Sequence, residues 1–156
     1  MYIIYHCYGG AHSSVTAAAI HLGLLPEDRL PRPEELMALP FYDQTTARDH
    51  GRLRCLGEDV AGNRVFVIGR RGLKDCFTTL VETFSSRLQI PREELLIVDT
   101  VPCVNLMMMV GGFTSRRLGW TKIGRPLVIR GTQKAFGHFV RLVRTVKAQA
   151  AGGTAR

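Results

Sequence analysis

The stretch that most constrains the fold is YHCYGGAHSSVTAAAIHLG at residues 5–23, where an apolar run passes through two glycines and two serines into an alanine-rich segment. The strand-like YIIYHC at residues 2–7 and a helix beginning near His12 or Ser13 leave Tyr8 to Ala11 as the connection. Gly9 and Gly10 permit positive φ and close backbone approach, and Ser13 or Ser14 suits a helix cap. Unpaired amides at such a helix start attract phosphate or carboxylate, so Gly9, Gly10, His12, Ser13 and Ser14 are candidate ligand-binding residues. The same residues also suit a tight turn that binds nothing. A nucleoside triphosphatase loop needs a lysine before its hydroxyl residue. Here His12 precedes Ser13, which disfavours an ATPase or nucleotide kinase of the usual type and leaves nucleotide binding without hydrolysis open.

Further strand-like runs lie at 52–56, 64–69, 94–99 and 126–131, the second and third runs of the chain being joined by GEDVAGN, a turn that predicts an antiparallel hairpin. Helical runs separate most of the others. Leu73, Cys76, Phe77, Leu80, Val81, Phe84 and Leu88 recur at helical spacing and predict one buried face, as do Phe136, Phe139, Val140, Val143 and Val146. A short helix is expected at 33–39 within a Pro- and charge-rich connection. Near-continuous apolar strands alternating with helices predict an α/β three-layer sandwich, with a mainly parallel sheet of about five strands and one hairpin.

At 156 residues the chain suits one domain, expected over 1–150, with 151–156 as a frayed tail. No apolar run approaches the roughly 20 residues that span a bilayer, and the first residues lack the features of a secretory signal, so a cytoplasmic protein with no membrane partner is expected. Ten of the 21 lysines and arginines follow Asp99, which is the last of the 13 acidic residues. That asymmetry makes nucleic acid or an acidic protein a candidate partner of the C-terminal third, through Lys134, Arg141, Arg144 and Lys147, although few aromatics there are free for base stacking. Cys55 and Cys76 read as small buried hydrophobes, and His21 and His138 as surface or partly packed residues.

The opening loop also resembles that of low-molecular-weight tyrosine phosphatases and related arsenate reductases, in which a strand ends in Cys and C-x5-R-[ST] opens a helix. The resemblance covers roughly residues 3–20. It implies Cys7 as a catalytic nucleophile and Ser14 as the hydroxyl residue following the arginine, whose own place is taken by Ser13. Ligands of open α/β sheets collect beyond the carboxyl ends of the strands. Arg70 and Arg71 are therefore candidate replacements for that cation, Asp99 is a candidate acid, and the segment 130–132 is expected at the same edge. Arg116 and Arg117 are expected to face away. No metal site is expected, because His6 and Cys7 alternate across a strand. The sequence leaves any cofactor open.

Over nearly its full length the chain resembles an uncharacterised bacterial family, a domain of unknown function met mainly in endospore-forming bacteria. The resemblance rests on IIYHCYGGAHSSVTAAAIHLG, GGFTSRRLG at 111–119 and IGRPLVIRGTQKAF at 123–136. It implies no established activity. The expected function is binding of a phosphate-bearing small molecule at the first strand-to-helix loop, with phosphoryl transfer by Cys7 and polyanion binding as alternatives.

Overall fold

A computed structural model describes residues 1–153; residues 154–156, the end of the expected tail, lie outside the described residues. Four strands form one open sheet in the order β2-β3-β1-β4: β1 (Tyr2–Cys7), β2 (Arg54–Glu58), β3 (Arg64–Gly69) and β4 (Leu95–Asp99). The central β1 runs parallel to β3 and β4, while β2 pairs antiparallel with β3 as the expected hairpin. Alternation along β1 sends Ile3 and Tyr5 into the main core and Ile4 to the opposite face.

The main core is built on α1 (Ser13–His21), every residue of which is buried. Ala17, Ala18 and Ala19 supply so little bulk that the sheet can approach from one side and α5 (Thr121–Gly153) from another. On the other face, α3 (Cys76–Arg87) inserts Phe77 against Ile4, Phe66, Ile68 and Leu95. The seven-residue buried stripe expected for this helix is not what forms: Leu80, Phe84 and Leu88 are exposed, because α3 meets the sheet at one end and an apolar groove opens beneath the rest. Cys55, on the edge strand β2, and Cys76, at the first turn of α3, are likewise exposed rather than buried. The short helix in the Pro-rich connection is present as α2 (Pro33–Ala38). Among the described residues no helix is long and apolar enough to cross a membrane.

The expected fifth strand at 126–131 is helical. It belongs to α5, which begins after a hairpin with α4 (Leu106–Gly112) and runs through Pro126 to Gly153. Val128, Thr132, Ala135, Phe136 and Phe139 extend the buried helical stripe back past the β-branched residues that read as a strand. The segment 130–132 is consequently a part of this helix and not a loop at the sheet edge.

The α4–α5 crossing is set by glycines. A Cβ at Gly111 would lie 2.5 Å from the Val128 amide nitrogen, one at Gly124 2.4 Å from that of Ser115, and one at Gly131 2.7 Å from that of Met108. Each contact is backbone against backbone, so no side chain can yield. Gly124→Ala is therefore expected to destabilise the protein by about 1–3 kcal/mol through overpacking. Gly137→Ala, in the same helix with its nearest neighbour 3.9 Å away, is expected to stabilise it by about 0.5–1 kcal/mol. Urea denaturation of both variants checks the opposed signs.

Candidate functional site

The loop after β1 folds back over its own cysteine. The Gly10 amide donates to Cys7 Sγ at 3.1 Å, and Ser14 Oγ lies 3.3 Å from the same sulfur. Cys7 is only 6% exposed, so the thiol sits beneath the loop. Gly10 has φ +66°, and a Cβ there would stand 2.6 Å from the Gly69 amide nitrogen, which makes glycine obligatory where the loop crosses the end of β3. Gly69 meets the Gly9 backbone just as closely. Among the described residues, the amides of Gly9, Ala11, His12, Ser13 and Ser14 donate to no acceptor in the chain, the last two being the expected orphans of a helix start.

The loops carrying the other candidates meet at this edge. The Arg70 amide donates to the Cys7 carbonyl and the Arg71 amide to that of Tyr8, both at 2.9 Å. Thr100, which follows Asp99, donates its amide to the His6 carbonyl at 3.0 Å and its hydroxyl to Ser13 Oγ at 2.9 Å. Ser13, in the arginine's place, thus ties the loop to the end of β4. The side chains of Arg70 and Asp99 go elsewhere. They approach one another at 3.6 Å on the α3 face, beside His6, while Asp99 also accepts the Val101 amide. Arg71 is exposed, with φ +49°.

The guanidinium of Arg54, which the sequence presents as a strand residue, docks on the cysteine loop. Its Nη2 donates to the Gly10 carbonyl at 2.7 Å, its guanidinium lies 4.5 Å from the centre of the Phe41 ring, and its buried Nε has no protein partner. Burial lowers its pKa, with Asp49 and Cys7 acting in the opposite direction. Nothing in the sequence singles Arg54 out: in β2, RCLGE, it reads as one of two charged residues of an edge strand.

A family model described as "Protein of unknown function (DUF3189)" matches residues 2–148. The chain belongs to this family. No curated protein and no solved structure matches it. The match takes in the cysteine loop, Arg54 and the α4–α5 hairpin together.

In this family member the hairpin reaches the loop through Asp43, a buried carboxylate with φ +51°. Its amide donates to the Ala11 carbonyl at 3.0 Å. Its carboxylate accepts from His12 Nε2 at 3.0 Å, Ser115 Oγ at 2.9 Å and Arg125 Nε at 2.9 Å, and Arg116 Nε lies 3.2 Å away. Burial works to raise its pKa, but His12, Arg125 and Ser115 outweigh it and bring the value down to about 2. Arg116 therefore faces the loop, contrary to expectation. The π-helical turn Phe113–Arg117 that ends α4 shifts the phase of the helix there.

One other expectation changes. His21 is buried, its Nε2 donating to Asp59 at 3.0 Å and its Nδ1 accepting from the Tyr5 hydroxyl at 2.8 Å. In the basic C-terminal third, Arg144 and Lys147 are paired with Glu27 at 3.1 and 3.0 Å, and Arg141 donates to His138.

These groups set a pH dependence. Burial lowers the pKa of His21 and of His6, despite the opposing pull of Asp59 and Asp99 respectively. The unfolded chain then takes up protons that the folded chain refuses, so stability falls as pH drops below about 6.5. Asp43 and Asp59, both brought down to about 2 in the folded chain, add stability that is present above their ordinary range and lost as pH falls toward about 2. The urea midpoint is expected to be lower at about pH 5.5 than at about pH 7.5, and His21→Gln should flatten that slope. An unchanged midpoint over that range would contradict the assignment.

Proposed function

We propose that the loop from Cys7 to Ser14 binds a phosphate-bearing small molecule. Its oxygens are taken by the amides of Gly9, Ala11, His12, Ser13 and Ser14, and Arg54 supplies the neighbouring positive charge. The observation that carries this reading is the set of loop and helix-start amides without an acceptor in the chain, gathered beside a guanidinium that is docked on the Gly10 carbonyl. Amides in such a position are satisfied by a ligand or by water, and a helix start favours an anion. Arg54, rather than Arg70 or Arg71, takes the place of the arginine missing at Ser13, since Arg70 is paired with Asp99 on the far face of the sheet.

The second reading, phosphoryl transfer by Cys7, is favoured by the groups on its sulfur, the Gly10 N–H that donates to it and the Ser14 hydroxyl at 3.3 Å, which are of the kind that hold a thiolate. In that chemistry the sulfur–phosphorus bond forms as the ester phosphorus–oxygen bond breaks. The leaving alkoxide takes a proton from water, and a second water then hydrolyses the thiophosphate. The burial of Cys7 weighs toward binding.

A thermal-shift series with inorganic phosphate, nucleotides and sugar phosphates tests the proposal. A ligand at 100 times its dissociation constant is expected to add about 2.7 kcal/mol, raising Tm by roughly 5–10 °C. Arg54→Gln is expected to weaken binding on the order of tenfold or more, with Cys7→Ser retaining it. No shift with any of these compounds, or an unaltered shift in Arg54→Gln, would overturn the assignment. Turnover of an aryl phosphate by the wild type that is lost in Cys7→Ser would establish the second reading.

A further inference from the structure

The glycine crossing fixes which side of α4 faces α5: Gly111 and Met108 lie against Val128 and Gly131. The residues at the opposite helical positions, Leu106, Met109, Val110 and Phe113, are consequently turned outward, at 73%, 61%, 47% and 54% exposure. Beyond the π-helical turn, Trp120 and Ile123 continue the surface at 61% and 65%. Because the crossing is backbone on backbone, α4 cannot rotate to bury this stripe.

Its electrostatic setting is one-sided. Arg117 and Lys122 flank the stripe, are exposed and make no ion pair among the described residues, and no acidic residue occurs after Asp99. A second copy docked through the same face would bring these cations against their equivalents with no carboxylate from the hairpin to separate them. A nucleic acid would use the cations and leave the aliphatic stripe in water. An in-plane apolar stripe with aromatic residues and flanking Arg and Lys is instead the pattern of a helix lying in the interface of an anionic membrane. The expectation of no membrane partner rested on the absence of a spanning segment, which has no bearing on a helix that lies on the surface.

We propose that the α4–α5 hairpin docks peripherally on an anionic phospholipid surface, with Leu106, Met109, Val110, Phe113 and Trp120 at the acyl boundary and Arg117 and Lys122 among the headgroups. This inference is independent of the ligand assigned to the cysteine loop.

Trp120 is the only tryptophan, so its fluorescence reports on this hairpin alone. The full chain is mixed with phosphatidylcholine vesicles containing about one-third phosphatidylglycerol, and with vesicles of phosphatidylcholine alone. The expected result is a blue shift and co-sedimentation with the anionic vesicles, both weakened by salt. The double variant Arg117→Gln, Lys122→Gln should lose roughly thirty-fold in affinity. Phe113→Ser should lose binding while keeping its melting temperature, since the site is exposed. Absence of a blue shift with anionic vesicles would overturn the proposal, as would undiminished binding by these variants. So would a dimer in light scattering that the Phe113→Ser change dissociates. A shift with polyglutamate but not with vesicles would overturn it in favour of an acidic protein partner.

Discussion

Asp43 is the interaction on which the arrangement of the molecule depends. A buried carboxylate is tolerated only when its charge is met and its lone pairs are filled. Here the groups that do so come from separate parts of the chain: His12 from the end of the cysteine loop, Ser115 and Arg116 from the π-helical turn, and Arg125 from the first turns of α5. Its amide holds the Ala11 carbonyl as well. Removing the carboxylate would leave two guanidinium groups close together without their shared counter-charge. The loop and the hairpin therefore keep their relative positions as long as Asp43 stays ionised.

That tie gives the loop a rigid frame. Gly10 is held against Gly69 by a crossing too close for a Cβ, Ser13 is bonded to Thr100 at the end of β4, and His12 is bonded to Asp43. The loop is thus fixed from three sides before any ligand arrives, which lowers the cost of ordering it on binding. The free amides and Arg54 lie on the α1 side of the sheet, whereas the Arg70–Asp99 pair and His6 lie on the α3 side. Two arginines at one strand edge consequently serve separate surroundings. The same frame joins the loop proposed to hold an anion to the hairpin proposed to rest on a lipid surface.

What was legible in the sequence was local. The switch from apolar run to glycine pair to alanine-rich segment located β1, its loop and α1, and the Gly-Asn turn located the hairpin of β2 and β3. The segment 126–131 misled because Val128 and Ile129 carry strand preference and Pro126 reads as a break in a helix, while tertiary packing against α4 decides for helix. The face of α3 misled for a different reason: its spacing marks a helix correctly but cannot say how much of the apolar stripe is covered. Asp43 and Arg54 were illegible because their partners are distant in sequence and no local pattern marks them. Asp43 sits in a Pro- and charge-rich connection, and Arg54 at the start of an edge strand. The facing of Arg116 depends on a π-helical turn that a 3.6-residue period does not anticipate.

The most direct test of the anion cradle is a titration of the 15N-labelled protein with inorganic phosphate, followed through its backbone amide resonances. The account expects saturable shifts concentrated at Gly9, Ala11, His12, Ser13 and Ser14, with the Arg54 side-chain resonance moving in step. Shifts confined to the basic surface of α5 around Lys134 and Arg141, or no saturable shift in the loop, would contradict it.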